Sequence, residues 1–176
     1  MSEPADAGER ISGFRPRRCD RWRVGDRTLS IGRLPLLMGI INVTPDSFSD
    51  GGRFFDRGAA VEQGLRLAAE GADVLDVGGE STRPYATPVD ADEEIRRVIP
   101  VIAALVEQAA VPLSIDTCKA VVAREAIAAG AQIINDVSGL VADRKMLSLA
   151  VESGAGVCVM HMQGTPRTMQ DDPQYD

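Results

Sequence analysis

Asn42, Asp76, Asp116, Asn135 and His161 each stand at or near the end of an apolar run of strand length. In parallel α/β folds that is the position from which a chain presents its binding and catalytic groups. Asp116 and Asn135 close successive runs, and would bring a carboxylate acceptor beside a carboxamide that both donates and accepts. The competing role for each is to cap the helix that follows. Two loops add further chemistry. The run Asn42-Val43-Thr44-Pro45-Asp46-Ser47-Phe48-Ser49-Asp50-Gly51-Gly52 strings turn formers, hydroxyls and carboxylates after the strand-like segment that begins at Leu37. Gly78-Gly79-Glu80-Ser81-Thr82-Arg83-Pro84 offers two hydroxyls and a guanidinium, whose planar donors can bind two oxygens of a phosphate or carboxylate at once.

The run from Asn42 to Gly52 resembles the first signature of the dihydropteroate synthases, folate-pathway enzymes that join p-aminobenzoate to a pterin diphosphate and release diphosphate. The segment Gly78 to Pro84 resembles their second loop, with Tyr85-Ala86 where the family often has Gly-Ala. The resemblance covers about residues 21 to 176. It implies a transferase on a (β/α)8 TIM barrel, with Mg2+ as cofactor, pterin diphosphate and p-aminobenzoate as substrates, and a homodimer in the full-length family. Asn42 would help hold Mg2+ on the diphosphate, while Thr82 and Arg83 would contact that diphosphate or order the loop around it. Asp46, Phe48 and Pro84 would shape the p-aminobenzoate side.

Asp116 and Asn135 match the family's pterin-pocket positions, where a pterin's donating amidine-like edge and accepting carbonyl could meet both side chains. Asp116 and Arg83 are the expected catalytic groups, the first stabilising positive charge in the pterin and the second the departing diphosphate. Asp116 and Asn135 also match methyltetrahydrofolate-dependent methyltransferases, and the first loop favours the synthase. A non-catalytic pterin-binding or interaction module and the pterin domain of a methyl-transfer enzyme stand as alternatives. The family's later Asp-Pro-Gly, Ser-Arg-Lys and Arg-x-His stretches do not occur in this sequence. The chain by itself is therefore expected to bind substrate weakly and to turn over negligibly.

Other polar residues carry weaker expectations. Asp76 matches a family position but equally suits structural support, and Lys119 reads as a surface lysine in the first turn of a helix. His161, the only histidine, reads as site wall or packing, and with no second histidine or nearby cysteine a zinc site has little support. Cys19, Cys118 and Cys158 lack metal-ligand spacing and read as reduced thiols, with Cys118 beside the expected site.

Positioning these groups requires strands alternating with helices. Trp22 to Val24 and Thr28 to Ile31, around Gly25-Asp26, read as a hairpin able to cap one end of a barrel. Five strand-and-helix units follow, with strands opening at about residues 37, 73, 112, 132 and 156. The helix over 57–70 should carry Val61, Leu65 and Ala68 on one face, and the helix after Asp90 should kink or restart at Pro100. Gly71-Ala72, Gly130-Ala131 and Gly154-Ala155 repeat one junction, a glycine closing a helix before a new apolar run. Polar groups at every strand end favour a barrel over a doubly wound sheet. Five units are fewer than the eight strands and about 250 residues of such a barrel, so the expected architecture is an incomplete one over residues 19–176, behind a flexible leader of residues 1–18.

The 176 residues are 44% apolar with a net charge of −7, which suits one folded domain and disfavours a general nucleic-acid or anionic-membrane surface. No membrane span or signal peptide is apparent in the sequence, so the expected address is cytoplasmic.

Overall fold

The computed structural model describes residues 19–32, 34–44, 57–81, 88–164 and 174. The expected leader, residues 1–18, lies outside them. Two short strands, β1 (Arg21–Val24) and β2 (Arg27–Ser30), form the antiparallel hairpin, with Gly25 at φ +60° in its turn. The rest alternates: β3 (Met38–Asn42), α1 (Arg57–Ala69), β4 (Val74–Gly78), α2 (Ala91–Gln108), β5 (Leu113–Asp116), α3 (Ala120–Ala128), β6 (Ile133–Asp136), α4 (Lys145–Ser153) and β7 (Gly156–Val159).

The five later strands pair in parallel in the order β3-β4-β5-β6-β7. Spatial order equal to chain order, with no reversal, is barrel wall and not the switched order of a doubly wound sheet. Among the described residues the five strands make an arc of such a barrel, with β3 and β7 at its edges. Ile41, Leu75, Val77, Leu113, Ile115 and Ile134 are buried on the helix side, in one core with Val98, Val101, Ile102 and Leu105 of α2. Because side chains alternate along a strand, the pairing sets Ile40, Asn42, Asp76, Gly78, Ser114, Asp116, Ile133, Asn135 and Cys158 on the opposite, inner face.

The hairpin plugs the lower end of that face. Val24, Val74 and Ile133 form a second buried cluster with Trp22, Leu29 and Met38, all from the hairpin or from strand starts. At Gly156 an added Cβ would lie 2.5 Å from Val24 Cγ1 and 3.2 Å from the Trp22 ring, so only glycine lets the hairpin approach β7.

Gly71, Gly130 and Gly154 all adopt positive φ (+107°, +110° and +65°), as the repeated junction predicts. One expectation changes. The helix does not restart at Pro100: α2 runs unbroken through it, the lost hydrogen bond offset by burial of Val98, Val101, Ile102 and Leu105 on either side. Val61, Leu65 and Ala68 of α1 share the expected face, half-buried against the core, and Ala60 and Gly64 beside them are fully buried. An added Cβ at Gly64 would stand 2.8 Å from both Ile41 and Leu105 methyls, so the backbone itself is the contact there.

Candidate functional site

The inner face offers its polar groups at the strands' C-terminal ends. Asn42, Gly78, Asp116, Asn135 and Cys158 lie in one row across all five strands, each in register with the next. Asn42 is exposed, while Asp116, Asn135 and Cys158 are half-buried. Gly78 separates Asn42 from Asp116, and an added Cβ there would fall 3.5 Å from the Asp116 carboxylate.

Helix capping does not occupy Asp116 or Asn135. The first free amides of α3 go elsewhere: Lys119 N donates to Thr117 Oγ1 (3.2 Å) and Ala120 N to Asp143 Oδ2 (2.9 Å). Asp143, bonded also by Lys145 N, is held below the usual carboxylate range mainly by these two backbone donors. The turn after β6 is closed by Asp136, whose Oδ1 accepts from Ser138 N at 2.7 Å. Asn135 instead donates from Nδ2 to Asp76 Oδ2 (2.9 Å). That bond fixes the amide orientation and leaves its carbonyl oxygen for a ligand donor.

The row is acidic and partly dry. Burial pushes Asp116 up to about 7, with the carboxylates of Asp76, Glu94, Asp136 and Glu80 adding to the rise. Asp76, only 2% exposed, is also raised by burial, against the hydrogen bond from Asn135 and the nearby Ser114 hydroxyl. Among the described residues its Oδ1 has no hydrogen-bond partner, and neither has Asp136 Oδ2. Asp76 thus does more than support the fold passively: it holds Asn135 and shares a field with Asp116. Burial pushes the Cys118 thiol up to about 11, assisted by Asp136, and raises Cys158 as well, so neither is an activated nucleophile.

The sequence misplaced one group. Lys119 is 29% exposed and its Nζ binds Glu80 Oε2 and, at 2.5 Å, Glu94 Oε2. Glu94, 1% exposed, lies in the first turn of α2 with its side chain buried. The signal was present: Glu94 falls on the stripe of Val98, Val101, Ile102 and Leu105, where a charge needs a partner. His161 lies past β7 and is exposed. Asp46, Phe48, Thr82, Arg83 and Pro84 lie outside the described residues. No cluster of three or more His, Cys, Asp or Glu side chains that could hold a metal occurs among the described residues, and no helix there is long and apolar enough to cross a membrane.

Comparison with known proteins adds independent findings. The dihydropteroate synthase of Escherichia coli K12 is 50% identical over 142 residues, which are 81% of this chain and 50% of that protein. The Xanthomonas albilineans dihydropteroate synthase solved with 4-aminobenzoic acid is 54% identical, with a TM-score of 0.76, over 84% of this chain and 54% of that one. The same enzyme solved in complex with 7,8-dihydropteroate superposes with a TM-score of 0.71 at 51% identity, over 81% of this chain and 51% of that one. The chain spans about half the length of these relatives. Residues 38–176 match the sequence profile of the pterin binding enzymes, and the chain belongs to that family.

Proposed function

We propose that the inner face of this sheet is the pterin half of a dihydropteroate synthase site, in which p-aminobenzoate displaces diphosphate from a dihydropterin. The observation that carries the proposal is the register pair Asp116 and Asn135, with Asn135 oriented by Asp76. Ionised Asp116 would accept from the pterin's amidine-like edge, and the Asn135 carboxamide oxygen from a further ring donor. The half-identical Xanthomonas albilineans synthase supports the same assignment, because it was solved with 4-aminobenzoic acid and with 7,8-dihydropteroate.

The attacking aniline nitrogen is unprotonated at neutral pH, so departure of the diphosphate sets the barrier. Asp116, in a half-buried row where charges act strongly, would stabilise positive charge that spreads into the pterin as the bond to oxygen breaks. Arg83 and Thr82 would hold the diphosphate, and Asp46, Phe48 and Pro84 the aminobenzoate. The exposed Asn42 carboxamide is a hard oxygen donor fitted to an ion that takes most of its ligands from phosphates. Mg2+ held there would supply charge neutralisation of the leaving group. A cytoplasmic address, a homodimer and the absence of nucleic-acid partners belong to this proposal, the last supported by the net charge of −7.

The test is diphosphate release by the chain given Mg2+, p-aminobenzoate and the dihydropterin diphosphate. In keeping with the negligible turnover expected of this chain, the expected outcome is release barely above background that needs all three and disappears in Asp116→Ala, as loss of one preorganised electrostatic group should cause. Binding of 7,8-dihydropteroate with no release would favour the non-catalytic pterin-binding module, and neither binding nor release would overturn the proposal.

A further inference from the structure

We infer that Lys119 is a positioning residue of this site: with Glu80 and Glu94 it ties the turn after Asp116 to the end of β4 and to α2, fixing where Asp116 stands. The inference rests on the pterin reading of the inner face. Three elements meet at one ammonium. Lys119 follows Asp116 by three residues, Glu80 follows the last residue of β4 by two, and Glu94 lies in the first turn of α2. The other Glu80 oxygen, Oε1, accepts from Val89 N at 3.4 Å, so one carboxylate bridges Lys119 and the residue entering α2. Gly79 O accepts from Arg97 Nη1 at 3.0 Å, and Gly79 has no room for a Cβ, with Val98 at 2.8 Å and Glu94 Cγ at 3.0 Å.

The path from this cluster to the site is short. Gly78, next to Gly79, is the register neighbour of Asp116, and Thr117 N donates to Asn135 O at 3.0 Å. A shift of the turn at Lys119 would therefore move Asp116 against both Gly78 and Asn135. Lys119 is unsuited to anion capture, because two carboxylates hold it and together keep its pKa raised despite burial. A buried ion pair is also a poor source of stability, since well-packed apolar residues in its place are often neutral or better. What charged hydrogen bonds add is direction. An apolar Glu94 would fill the α2 stripe equally well but would not orient the turn that carries Asp116.

The test separates orientation from stability. Lys119→Met alone strands Glu94 in the core and is expected to lower the melting temperature. The double variant Lys119→Met with Glu94→Met removes both charges and is expected to regain the melting temperature, yet to bind 7,8-dihydropteroate at least tenfold more weakly by calorimetry. Amide hydrogen exchange at Val89 and Thr117 should be faster in it, and Lys119→Arg should keep native binding and exchange. A double variant with native stability, native exchange and native affinity would overturn the inference. Faster exchange in the double variant, with a parent chain that itself does not bind dihydropteroate, would support the positioning and overturn the pterin reading.

Discussion

Asp116 combines two properties that one residue rarely needs for structure alone: a carboxyl pushed up to about 7, and no helix to cap. Its folded pKa lies above the ordinary 3.8, so between those values the folded chain keeps a proton that the unfolded chain has released. Stability then falls as pH rises through that window and is indifferent to this group below 3.8 and above about 7. Urea unfolding of Asp116→Asn across that range should show a flatter pH profile than the parent chain. An equally steep profile would place the titration elsewhere in the acidic row. Asp76 and Asn135 illustrate the limit of reading residues one at a time, because 59 positions separate them and neither motif names the other as its partner.

At the scale of elements, the hairpin is the least obvious component and has a defined task. It closes the lower end of the inner face, where Val24 meets β7 at a glycine. Gly156→Ala should therefore destabilise the chain by roughly 1 to 3 kcal/mol, as overpacking does, because Val24 is β-branched and fully buried and cannot rotate away. Thermal or denaturant unfolding checks this, and a neutral result would mean that the hairpin is not seated on β7. The alternating segments and Gly25-Asp26 made the hairpin legible in the sequence. Its seat was not, since the cluster it forms with Met38, Val74 and Ile133 draws one residue from each of three strands. The unbroken α2 teaches the converse, because local chemistry at Pro100 argued for a kink or a restart, and the burial on both sides of it kept the helix from restarting.

For the whole molecule, five parallel strands in chain order create an inner face on which polar groups from all five strands stand side by side in register. If that face binds pterins, 7,8-dihydropteroate should raise the melting temperature in a concentration-dependent way, since a ligand that binds only the folded state stabilises it by RT ln(1 + [L]/Kd). In Asp116→Ala the shift should be lost or greatly reduced. An undiminished shift would locate binding away from the Asp116 and Asn135 pair.

Much that is governed by neighbours in the chain could be read from the sequence alone: the strand and helix cadence, the three junction glycines of positive φ that precede β4, β6 and β7, and the motif run that points to the family. Those features depend on local sterics and hydrogen bonding, which a short stretch of residues specifies. The tertiary structure decided which charges face one another. It set Glu94 and Glu80 on Lys119, Asp76 on Asn135, and four carboxylates around Asp116. Electrostatic energy depends on separation in space and on burial, and neither is written in the spacing of residues along the chain.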